Sequence, residues 1–163
     1  MLYVPSVWLH VVAATVWVGS MVFFAAVVVP VARRADVRAA APLLFRVMGA
    51  RFRVLGRISL GVLIVTGVSN LYLRGIGTDV MGYAEFWATP FGRTLSYKLV
   101  FVTATLAATT LHEWTASRTT LAHGPGSDEA ERSRRLASWV GRGIMVASLC
   151  ILFFAVTLVR GLP

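Results

Sequence analysis

The chain has little of what soluble enzymes are built around. It holds one cysteine, Cys150, so an internal disulfide framework is excluded. Set in an apolar run, Cys150 reads as a small buried residue rather than a reactive one. Acids are scarce, 7 Asp and Glu against 16 Lys and Arg, and charged residues make up only 14% of the 163. No carboxylate pair, nucleophile triad or phosphate-cradling glycine loop stands out, which argues against hydrolytic and phosphoryl-transfer chemistry. There is no low-complexity linker, so residues 1–163 read as a single domain. The N-terminus lacks the short basic region of a cleaved signal, and the first apolar stretch is too long for a signal core; it is expected to be a retained span.

What the chain does have is apolar length. Hydrophobic residues make up 57% and the mean hydropathy is +0.73, well above the ~45 to 50% of an ordinary soluble domain. Apolar stretches at about 4–32, 57–74, 92–114 and 136–160 are each long enough to cross a bilayer, given a hydrocarbon core of ~30 Å and a rise of ~1.5 Å per residue. The second is the shortest, and Arg57 and Arg74 at its ends would have to reach the headgroups. The expected fold is all-α, an integral membrane four-helix bundle whose first partner is the lipid bilayer.

The net charge of +9 does not point to nucleic acid, because its placement follows a membrane rule. Seven arginines (33, 34, 38, 46, 51, 53 and 57) lie between the first two spans or at the start of the second against one acid, Asp36, and five more (118, 132, 134, 135 and 142) lie between the last two or in the first two turns of the fourth. By the positive-inside rule both basic loops are cytoplasmic and both termini face out, in the cytoplasmic membrane of a prokaryote. Between Asp36 and Arg57 apolar residues alternate with arginines, which suits either an amphipathic cytoplasmic helix or an extension of the second span. The loop at 75–90, with Tyr83, Phe86 and Trp87, fits a short re-entrant or interfacial cap. The loop at 123–131 reads as solvated and mobile.

Chemistry is expected along one polar seam. Lys98, Thr105 and His112 recur at seven-residue intervals in the third span, with Thr94 and Thr109 on the same stripe. Ionisable groups are expensive in hydrocarbon, so they are expected to face a protein interior, a cavity or a cofactor. Depth divides the seam: His112 lies fourteen residues beyond Lys98, which is ~21 Å along a helix. His10 is expected at the depth of Lys98, while the second span supplies Ser59, Thr66, Asn70 and Arg74. The outer half of the bundle would thus gather His10, Asn70, Arg74, Arg93 and Lys98 beneath a loop carrying Asp79, Met81, Glu85 and Trp87. A histidine among cations suits an anionic redox cofactor such as haem b, with His10 on the iron and Asn70, Arg74, Arg93 and Lys98 around its carboxylates. The competing expectation is copper, with His10 as ligand and His112 and Met81 as weaker ones. The bland reading makes Lys98, Arg74 and Arg93 interfacial anchors and His10 an interhelical hydrogen-bonding residue.

The first span reads WLHVVAATVWVGSMVFFAAVVVP at residues 8–30, followed later by TGVSNLYL at 66–73 and TPFGRTLSYKLVFV at 89–102. On Leu9-His10, Trp17, Gly19, Phe23, Pro30 and the early Lys98, the chain resembles the copper-resistance protein D (CopD) family of membrane proteins. That resemblance implies copper uptake or tolerance across the cytoplasmic membrane. A weaker likeness, carried by His10 and Lys98 alone, is to the HemJ-type protoporphyrinogen oxidases, which are associated with haem b. A third reading is an accessory subunit packed against a membrane redox partner or larger complex, or against further copies of itself. The sequence assigns no enzymatic turnover.

Overall fold

The computed structural model describes residues 2–122 and 128–160, and their side chains except at 112–122, 128–131, 133, 134 and 137. Helix α1 spans Tyr3–Phe23 and passes through a π-helical turn, Phe24–Val28, into α2, Val29–Arg33. A 3₁₀ turn at Arg38–Ala40 leads into α3, Ala41–Leu73. Two short helices follow, α4 at Thr78–Met81 and α5 at Ala84–Ala88, then α6 at Pro90–Ala122 and α7 at Asp128–Arg160. Among the described residues there is no strand. Four helical runs are long and apolar enough to cross a membrane: Tyr3–Arg33, Arg38–Leu73, Pro90–Leu111 and Ser138–Arg160. The all-α, four-span expectation therefore holds.

The helices outrun the apolar stretches that announce them. The arginine-rich segment after Asp36 is part of the second long helix, which starts at Ala41 rather than near residue 57. Its Leu, Arg, Met and Ala residues favour helix, and Pro42 stands in the first turn, where a missing N–H costs nothing. In the same way α7 begins at Asp128, well before the apolar run at 136. Residues 123–127 of the loop expected to be mobile lie outside the described residues.

Pro30 explains the π-helical turn. Its ring lacks an N–H and collides with the carbonyl four residues back, and the chain answers by widening the turn just before it, at Phe24–Val28. The wide turn keeps Val28 and Ala32 buried, as Ala13, Trp17 and Met21 are further back.

The chain divides into two compact units, Met1–Gly82 and Tyr83–Pro163. In the first, α1 and α3 run antiparallel, as a ladder of contacts shows. Phe24 meets Phe52 with ring centroids 5.4 Å apart, Trp17 lies against Gly56, His10 bonds Thr66, and Arg74 stands 5.9 Å over the Tyr3 ring. Lipid gives no hydrophobic drive between helices, so close approach at small residues matters. A Cβ on Gly56 would stand 2.9 Å from the Trp17 ring. Helix α3 ends in a Schellman motif: Gly75, at φ +79°, donates its N–H to Tyr72 O, and Ile76 donates to Leu71 O.

The second unit pairs α6 with α7. Thr89 caps α6: its hydroxyl oxygen accepts the Gly92 N–H at 3.0 Å, with Pro90 at the first helical position. Gly92 lets α5 lie directly on α6, since a Cβ there would overlap the Phe86 carbonyl oxygen. Further along, the Phe154 ring packs 5.8 Å from Tyr97 and 5.6 Å from Phe101.

Candidate functional site

His10 is held by the helix opposite. Its Nδ1 lies 2.7 Å from Thr66 Oγ1, while the Thr66 hydroxyl donates to Val62 O at 2.6 Å. A hydroxyl has one proton; with it donated to Val62 O, the Thr66 oxygen is left to accept from His10 Nδ1–H. The contact orients the imidazole ring against α3. Fixing one ring nitrogen through a second residue so that the other can act as a ligand is the usual arrangement at a metal-binding histidine. Gly67 completes the seat: a Cβ there would stand 3.5 Å from His10 Cε1, so the ring edge rests on the α3 backbone.

The polar stripe of α3 is real but uneven. Ser59 and Thr66 are buried, each 5% exposed. Asn70 is half-buried, one turn past Thr66, and its Oδ1 is buried without a hydrogen-bond partner. Arg74 is exposed over the Tyr3 ring. Met81 is half-buried in α4.

Lys98 and Arg93 belong to the second unit. Arg93 is exposed in the first turn of α6, and Lys98 is half-buried one turn further on. Along the expected seam Thr94 is buried with its hydroxyl donating to Pro90 O at 2.9 Å, and Thr109 donates to Thr105 O at 2.8 Å. Thr105 is 3% exposed and its own hydroxyl has no partner. The backbone of His112 is helical, but its side chain lies outside the described residues.

A groove of about 500 Å³ also opens between α1 and α3, lined by Thr15, Phe23, Met48, Arg51 and Phe52 among others. Its walls are mostly apolar and offer a cation little to bind. No group of three or more His, Cys, Asp or Glu residues able to hold a metal occurs among the described residues. A metal held here would thus depend on a lone histidine and neutral oxygens.

Comparison with known proteins settles the class. Residues 46–158 match copper resistance protein D, well over half of the chain. The chain belongs to the copper resistance protein D family. A protein of Aquifex aeolicus (strain VF5), described as an uncharacterized protein, is 31% identical over 156 residues, covering 94% of this chain and 92% of that protein. No solved structure matches. Family and helices together make this a multi-pass membrane protein linked to copper resistance. The CopD match takes in Thr66, Asn70, Arg74, Arg93, Lys98 and His112, whereas His10 precedes it. The CopD assignment favours copper over the haem b expected from the cationic cluster, and neither the family nor the geometry supports haem.

Two features of the site escape a reading of composition and spacing. Thr66 is named in the sequence only as one member of a stripe, yet it positions His10. Ser6 is missed altogether, although it stands one turn before His10 and its Oγ is buried without a partner. The available signal was spacing, four residues before His10 on α1 and four after Thr66 on α3. It becomes readable only once the two helices are known to be antiparallel.

Proposed function

We propose that this protein takes copper ions into or across the prokaryotic cytoplasmic membrane and so supports copper tolerance, with His10 as a ligand. The observation that carries the reading is the family match over residues 46–158. The His10–Thr66 pair supports it by holding an imidazole in a fixed orientation inside an apolar hairpin, a ligand type that suits copper. Arg74 and Arg93, both exposed, serve as interfacial anchors in this reading. Both termini lie outside, as the arginine-rich segments between spans require.

The test is copper accumulation in vesicles of anionic phospholipid with and without the purified protein, read by elemental analysis. The expected result is several-fold faster accumulation with the wild-type chain and a return to the protein-free rate for His10→Ala. Equal accumulation with and without the protein overturns the proposal.

A further inference from the structure

The groove between α1 and α3 takes no part in the copper reading, yet its walls combine two kinds of surface. Thr15, Gly19 and Phe23 line it from α1, and Met48, Arg51 and Leu55 from α3. Its hydroxyls are bonded to their own helix, Thr15 donating to Val11 O at 3.0 Å and Ser20 to Val16 O at 2.6 Å, so the wall they form is effectively apolar. Phe23 and Leu55 are exposed. Gly19 is the open floor, since a Cβ added there meets nothing within 4 Å. Among the described lining residues Arg51 alone carries a charge. It is exposed and makes no ion pair among the described residues, whereas Asp36, the acid of that segment, is bonded to Arg34 at 3.1 Å.

Arg51 stands at one end of the trough. Phe24 packs on Phe52 and Phe45, which puts Arg51 at the level of Phe24, while Trp17 lies further along against Gly56. From Phe24 the trough runs nine residues along α1 to Thr15, ~14 Å by helical rise. The guanidinium therefore sits at the arginine-rich end of the hairpin, which the positive-inside rule puts at the cytoplasmic face. The apolar remainder extends from it along the membrane span Tyr3–Arg33.

We propose that this groove binds one anionic phospholipid of the cytoplasmic leaflet, with its phosphate on Arg51 and an acyl chain laid over Gly19 and along Leu55. A basic position at the cytoplasmic end of a crevice between membrane helices is suited to such headgroups, and about 500 Å³ falls within the range of small-molecule sites, ~300 to 1,000 Å³. Charge favours lipid over a second copy of the hairpin. Residues 33–57 carry seven arginines and one acid, so two such segments would repel, whereas an anionic headgroup brings the complementary sign. Arg53 provides an internal contrast: it does not line the groove, and its Nη1 turns back along α3 to within 3.7 Å of where a Cβ on Gly49 would stand.

The test is native mass spectrometry of the purified full-length protein in neutral detergent, with phosphatidylglycerol and phosphatidylcholine of matched acyl chains added in equal amounts. The expected result is one phosphatidylglycerol retained per chain and little phosphatidylcholine. Arg51→Gln should lower that retention about 5-fold, Arg51→Lys should keep it, and Arg53→Gln, an equal loss of charge away from the groove, should leave it unchanged. Gly19→Leu should displace the lipid by filling the open floor, and because leucine is the better helix former the variant keeps its fold. Equal retention of the two lipids overturns the proposal, as do equal losses in Arg51→Gln and Arg53→Gln or full retention in Gly19→Leu. A lipid-free dimer that Gly19→Leu disperses also overturns it, making the groove an interface between copies. Copper accumulation is read separately, so each of these results leaves the copper reading standing.

Discussion

Both halves of this chain return hydroxyls to their own helices, as Thr15 does to Val11 O and Ser20 to Val16 O in the first, but the first half adds a side-chain bond between helices. In the second, hydroxyls are returned to their own helices: Thr94 donates to Pro90 O, Ser96 to Gly92 O, Thr109 to Thr105 O and Ser148 to Ile144 O. Between α6 and α7 the Phe154 ring packs on Tyr97 and Phe101. In the first, a polar group crosses from helix to helix. His10 reaches Thr66, and the helices are brought close by Gly56 under Trp17 and Gly67 under His10. Hydroxyls bonded to their own helix satisfy a local need and carry no information about the neighbouring helix. A bond across the seam does carry it, fixing register and ring orientation together, which is what a ligand histidine requires.

The largest effect that tests this contrast is steric. Gly56→Ala places a methyl group 2.9 Å from the Trp17 ring, so we expect a loss of about 2 kcal/mol in the stability of the purified protein. Thermal or detergent-induced unfolding reads it, and an unchanged midpoint would mean that the first hairpin is not locked at this contact. A smaller effect should separate the two classes of hydroxyl. Thr66→Val removes the acceptor for His10 Nδ1–H and should cost about 1 kcal/mol with a ~10-fold loss of copper affinity. Thr109→Val, which removes a bond to its own helix, should stay within about 0.5 kcal/mol. Equal costs for the two would break the comparison. One effect has the opposite sign: a Cβ on Gly141 in α7 meets nothing within 4 Å, so Gly141→Ala should stabilise by about 0.5 to 1 kcal/mol through helix propensity alone.

Much of the architecture is legible from residues in order. Four apolar runs mark four spans, and the short motifs around His10 and Lys98 point to the family that residues 46–158 confirm. The ends of the helices are less legible, because an apolar run reports where lipid begins and not where helix ends. Thus α3 begins at Ala41, in a segment where arginines interrupt the apolar residues, and α7 at Asp128, in charged sequence. The candidate site was legible only in part. His10, Asn70 and Arg74 are visible as polar residues in apolar context, yet their relative level depends on which residue of α1 faces which residue of α3.

The sequence by itself determined the class of this protein: helical, four spans, basic between them, and built for a bilayer. Such properties are sums over local composition and length, since the cost of exposing backbone and charge to lipid is set residue by residue. Only the tertiary structure decided what His10 bonds to. Its partner lies fifty-six residues away on another helix, and the register that joins them is set by how Gly56 and Trp17 interlock. The orientation of the ring and the level shared by Ser6 and Asn70 follow from that register.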